Sequence, residues 1–86
     1  MLSYLSVGSV SANYVRAEVE LIDFIDSKPE DFATKPCEMV DVRRDLFEEA
    51  GYFPQEGEIY ICEQENGEVK GIVWEDPEER ERRAAL

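Results

Sequence analysis

Apolar and polar residues alternate through residues 15–21, where Val15, Ala17, Val19 and Leu21 are separated by Arg16, Glu18 and Glu20. A period of two sends successive side chains to opposite faces, so this run predicts a half-buried strand. The wider segment 14–25 also admits a helical reading, since Tyr14, Ala17, Leu21, Ile22, Phe24 and Ile25 gather on one side of a wheel. The strict alternation and the frequency of valine favour the strand. Ahead of it, residues 2–10 are rich in Leu, Val, Tyr and Ser and predict a first strand. Ser27-Lys28-Pro29-Glu30 has the form of a short helix start, with the cap at Ser27 or Lys28 and proline in the first turn. Lys35-Pro36 then restricts the chain again. Further on, Met39, Val42, Leu46 and Ala50 form a stripe flanked by Val40 and Phe47. Asp41, Arg44, Asp45, Glu48 and Glu49 lie opposite, and Gly51 suits the position after a helix end. This spacing predicts a helix over about 38–50.

Residues 56–75, EGEIYICEQENGEVKGIVWE, predict a β-hairpin. Asn66-Gly67 supplies the two positive-φ positions of a type I′ turn. An unbroken ladder around that turn pairs Glu65 with Glu68, Glu63 with Lys70, Ile61 with Ile72, Tyr60 with Val73, Ile59 with Trp74 and Glu58 with Glu75. One face then carries Ile59, Ile61, Ile72 and Trp74, and the other Tyr60, Cys62, Val69 and Val73. Two apolar faces predict a hairpin in the interior of a sheet. Asp76-Pro77-Glu78-Glu79 reads as a cap, a first-turn proline and a capping-box acid, opening a short C-terminal helix. Within it Glu78–Arg82 and Glu79–Arg83 have favourable spacing. Together these elements predict a single α+β domain over 1–86, an antiparallel sheet of about four strands with a central helix and a short C-terminal helix. A small SH3-like barrel with an appended helix is the alternative.

Charge changes the picture more than length does. Twenty-one acids against nine bases leave a net charge of −12, beyond the magnitude of about 2–8 that solubility needs. Self-repulsion on that scale costs stability. It disfavours direct contact with nucleic acid or an anionic membrane, and makes a basic protein the natural partner. Residues 1–17 contain Arg16 and no acid, which marks the N-terminal segment as the one to bury. Ser-Val-Ser-Ala at 9–12 loosely resembles a leader cleavage site, but the preceding run lacks a basic start and is broken by serines. Cys37 and Cys62 stand 25 positions apart with no histidine in the chain. They read as two buried thiols in a reducing compartment, which places the protein in the cytoplasm.

The sequence supplies little catalytic chemistry. There is no histidine to act as base or ligand, no calcium loop, and no glycine-rich phosphate motif. The expectation is therefore a protein that is not an enzyme and needs no cofactor or metal; a metal-dependent carboxylate enzyme ranks far behind. The acids on or beside the hairpin are the candidate surface: Glu56, Glu58, Glu63, Glu65, Glu68, Glu75, Asp76, Glu78 and Glu79. Carboxylates two apart on a strand are separated by about 7 Å, the scale of charge spacing along a nucleic-acid backbone. Glutamates facing each other across a ladder oppose pairing by a few tenths of a kcal/mol, and lysine would protect such an edge equally well. In size and charge, though in no motif, the chain resembles small phage-type inhibitors that mimic DNA. The leading expectation is an acidic inhibitor that occupies a basic, nucleic-acid-binding surface in an anti-defence role. The alternatives are an immunity protein or antitoxin against a basic toxin, or a small structural subunit. Charge runs more often simply solvate a surface. Tyr52 and Phe53 are core residues by aromatic area, and become partner-binding anchors if exposed beside the acids.

Overall fold

In a computed structural model, which describes residues 1–27 and 36–84, the chain runs through β1 (Leu2–Val10), β2 (Tyr14–Glu20), β3 (Cys37–Arg43), α1 (Arg44–Glu49), β4 (Ile59–Glu65), β5 (Glu68–Glu75) and α2 (Pro77–Ala84). A one-turn 3-10 segment occupies Phe24–Asp26. Five strands, rather than about four, form one open antiparallel sheet in the order β3-β2-β1-β4-β5. β1, β2 and β3 make a meander, and β4 returns to lie beside β1, which is a Greek-key connection. Among the described residues no ladder joins β3 to β5, so the sheet is open, whereas the alternative reading is a small SH3-like barrel. No helix among the described residues is long and apolar enough to cross a membrane. The helix start expected at 27–30 lies, beyond Ser27, outside the described residues.

β1, which has no charged side chain, takes the middle of the sheet, with Ser3, Tyr4, Leu5 and Val7 buried. β2 is a strand, as its alternation predicts: Val15, Ala17 and Val19 are fully buried, Tyr14 and Arg16 exposed and Glu18 half-buried, and only Glu20, 3% exposed, departs from the pattern. On one face these join Leu5, Val7, Val42, Phe47, Tyr60, Cys62 and Ile72 in the main core. On the other face Tyr4, Ile59 and Ile61 are covered by Leu2, Phe24 and Trp74. The Phe24 ring stands edge-on to Tyr4 at 6.2 Å and to Trp74 at 5.6 Å.

Two expectations fail here. The helix expected over 38–50 is divided: residues 37–43 pair with β2 along their whole length, and only Arg44–Glu49 is helical. Pairing lets β-branched Val42 be buried opposite Val15, whereas a helix would have placed Met39 and Ala50 inward; both are exposed. The short helix ends as Gly51 allows. That residue has φ +90°, and Gly51 and Tyr52 donate to the Glu48 and Phe47 carbonyls at 3.0 and 2.9 Å, a Schellman end.

The hairpin register also differs. Glu65 faces Glu68 and Asn66-Gly67 turns at φ 53° and 88°, as expected. Beyond that, Gln64 faces Val69, Glu63 faces Gly71, Cys62 faces Ile72, Ile61 faces Trp74 and Tyr60 faces Glu75. Lys70 and Val73 are the extra residues of two bulges. Val69 and Ile72 are three apart and share the core face only if one residue between them is looped out; the second bulge then returns Trp74 to the opposite face. Val73 is left 43% exposed. The hairpin is not central either, since β5 is an edge.

α2 opens with Asp76 accepting from the Glu79 N–H at 3.0 Å. The capping box is not completed, because the Asp76 N–H donates to the Ile59 carbonyl at 2.7 Å. Arg82 pairs with Glu79, three residues back, at 2.7 Å rather than with Glu78. The Arg83 side chain lies outside the described residues.

Burial leaves a titration signature. Cys62 is fully buried, and loss of hydration, with Glu63 adding to it, pushes its thiol up to about 12. Tyr60 is raised as well, first by burial and then by donating its hydroxyl to Glu58 at 2.8 Å. In the unfolded chain both titrate nearer their ordinary values, about 8.5 and 10. The unfolded state therefore loses protons first as pH rises, and each group costs up to about 1.4 kcal/mol of stability per pH unit between its two pKa values. Urea midpoints are expected to hold between pH 7 and 8 and to fall from about pH 9 upward. In Cys62→Ala the fall should begin later, near the tyrosine range.

Candidate acidic interface

The hairpin tip is anchored from beneath by a buried amide. The Gln64 side chain accepts from the Gly67 N–H at 2.9 Å, and its Nε2 donates to Ser3 Oγ at 3.0 Å and to the Glu20 carbonyl at 3.4 Å. Ser3 Oγ in turn donates to the Ile22 carbonyl at 2.7 Å. Gln64 and Ser3 are fully buried, so turn, β1 and β2 are tied by bonds that water does not compete for. Glu65 and Glu68 face one another on that platform and are exposed. Glu63, two residues back on β4, is exposed and accepts from the Met1 ammonium at 2.9 Å. Lys70 sits 3.1 Å from Glu68, its neighbour on the same strand, not opposite Glu63.

A fourth carboxylate arrives from the far edge of the sheet. Glu38 of β3 lies directly over the turn; a Cβ at Gly67 would collide with its carboxylate. Glycine is favoured at that turn position by the positive φ, while a Cβ there would only push aside the flexible end of the Glu38 side chain. Reading residue 38 as the start of a helix concealed this. With β3 in place, the register sets Glu38 opposite Val19, and its carboxylate reaches Gly67 at the β4–β5 turn.

The other expected site residues divide by burial. Glu56 and Glu78 are exposed. Glu58 does not face Glu75: it accepts from the Gln55 N–H at 2.6 Å and from the Tyr60 hydroxyl at 2.8 Å, so it holds the β4 approach. Glu75 is half-buried opposite Tyr60, and Asp76 is committed to the helix cap. Glu79 is buried, 1% exposed, against Arg82. Tyr52 packs on Tyr60 with ring centres 5.4 Å apart and belongs to the core margin. Phe53, its neighbour, is 73% exposed in the same loop as Glu56.

Besides Lys70 and the Met1 ammonium at the acidic end, three arginines collect elsewhere. Arg16, Arg43 and Arg44 lie toward the opposite end of β2 and β3, next to a cleft of about 230 Å³ lined by Asn13, Tyr14, Arg43, Arg44, Asp45 and Glu48. There the arginines are already paired: Arg43 with Asp45, Arg44 with Glu48 at 3.4 Å and with the Ser11 carbonyl at 3.2 Å, and Arg16 with Asp41 at 3.6 Å. Among the described residues no three His, Cys, Asp or Glu side chains are grouped to hold a metal ion. Neither cysteine forms a disulfide. No family model, curated protein or solved structure matches the chain.

Proposed function

We propose that the chain is a non-enzymatic acidic binding protein, a DNA-mimic type inhibitor whose hairpin end occupies the nucleic-acid-binding surface of a basic partner. The observation that carries this reading is the convergence of Glu38, Glu65 and Glu68, from β3, β4 and β5, on one turn held rigid by buried Gln64. Solvation needs carboxylates on a surface; it does not need them opposed on a fixed frame, where they work against pairing. Fixed charge loses little entropy on binding and steers a basic partner over long range. The cysteines that form no disulfide support a cytoplasmic setting. A second reading, an antitoxin or immunity protein, draws on Phe53, whose 73% exposure beside Glu56 suits an anchor in a toxin's site.

The test uses the purified chain as bait. A partner bound by the acidic end should be released by excess duplex DNA, and its affinity should fall by at least about tenfold between 50 and 200 mM salt. A partner that stays bound through both treatments sinks the mimic reading. If Phe53→Ala alone then abolishes that binding, the antitoxin reading takes its place.

A further inference from the structure

The two edges of the sheet are protected very differently. β5 carries two bulges and Lys70, all devices that discourage another strand from pairing. β3 has no bulge, lysine or proline, and its guards are the charges of Glu38, Asp41 and Arg43: its seven residues pair with β2 in unbroken register from Glu20↔Cys37 to Tyr14↔Arg43. Among the described residues its other side is the end of the sheet. Beside it runs a cleft of about 330 Å³, lined by Val40–Arg43, Leu46 of α1 and Gly67–Val69 at the start of β5. Val40, Val42, Leu46 and Val69 give the cleft an apolar floor continuous with the main core. Asp41 and Glu68 stand on its rim, and Glu38 closes the end over Gly67. The volume matches the small end of ligand clefts, about 300–1,000 Å³, room for two or three aliphatic side chains.

We infer that this edge is a strand-addition site for an extended basic segment of the partner, with Lys or Arg alternating with aliphatic residues. The inference rests on the acidic-binder reading and names its mode of recognition. An added strand would pair with the outward N–H and C=O groups of β3. Its aliphatic side chains, every second residue, would fall onto Val40, Val42, Leu46 and Val69. The cations between them would stand on the opposite face, toward Asp41 and Glu68. Charge selects the occupant. A second copy of this chain would bring Glu38 and Asp41 against their own kind under a net charge of −12, whereas a basic strand meets opposite charge.

The probe is a blocked octapeptide of alternating lysine and valine, compared with octalysine and with the glutamate–valine counterpart. Binding is read by calorimetry and by amide hydrogen exchange along β3. The alternating basic peptide should bind, slow exchange at alternate amides within 37–43, and bind at least tenfold more tightly than either control. Val40→Lys, which puts a cation in the cleft at a half-buried position, should weaken it at least tenfold; Asp41→Lys should do so without touching the apolar floor. Equal binding of octalysine, or binding with no protection of β3, overturns strand addition while leaving the acidic surface as binder. No binding of the alternating peptide overturns it too, and release by duplex DNA then judges the broader reading separately. A dimer of the protein alone, with β3 amides already protected, gives the edge to a second copy and overturns the inference.

Discussion

Replacing Phe47 by alanine is expected to remove about 3–5 kcal/mol of stability, the range for truncating a fully buried phenylalanine. Phe47 is 0% exposed, and its ring stands edge-on to Tyr60 with centres 5.1 Å apart. Tyr60 is in turn flanked by Tyr52 at 5.4 Å, so the three rings close one end of the main core. The helix that carries Phe47 has only six residues and one fully buried side chain, too short to hold itself in place. Phe47 is what docks it. A domain of this size has roughly 4–13 kcal/mol in total, so the variant should sit close to unfolding at 37 °C. Phe47→Leu, which refills most of the space, should lose far less, under about 1.5 kcal/mol. Phe53→Ala, six residues on but exposed, should stay within about 0.5 kcal/mol of the parent. Urea melts of the three variants check this. A loss below about 1 kcal/mol in Phe47→Ala would contradict the packing described for α1.

The contrast between Phe47 and Phe53 shows where sequence patterns are informative. Local chemistry was readable wherever a short motif determines geometry: Asn66-Gly67 for the turn, Asp76-Pro77 for the start of α2, Gly51 for the end of α1. The alternation in β2 was readable because one face is buried and the other wet. β3 was not, since it is an edge strand with a single buried residue, Val42, and its exposed Met39 imitated a helical stripe. The bulges in β5 were hidden for another reason. Val69 and Ile72 belong on one face only because of what they meet across the core, and periodicity within the strand contains no record of that. The candidate site followed the same division. Glu65 and Glu68 came from the turn, while Glu38 came from a strand pairing that had to be seen.

Reversing Glu65 to lysine is expected to separate function from stability, because the two should move in opposite directions. The substitution converts the facing Glu65–Glu68 pair into an attractive one, which should add a few tenths of a kcal/mol to the fold. If the hairpin end engages a basic surface, the same change places a cation among the partner's lysines and arginines. A single reversal should then weaken partner affinity about ten- to a hundredfold, or about 1.4–2.8 kcal/mol. Adding Glu38→Lys should deepen the loss and flatten the salt dependence, since both carboxylates lie over one turn. Glu49→Lys on α1 provides the control for net charge: it is exposed, makes the same change in total charge, and lies on a helix beside the arginine-bearing end of β3. A long-range field acting alone would make Glu49→Lys and Glu65→Lys equally weak, and the tip would have no special role. An interface centred on the tip leaves Glu49→Lys within about threefold of the parent. A Glu65→Lys protein that is more stable and still binds fully would mean that these acids only solvate the turn. A gain in stability coupled to a loss of binding is what function at the expense of pairing predicts.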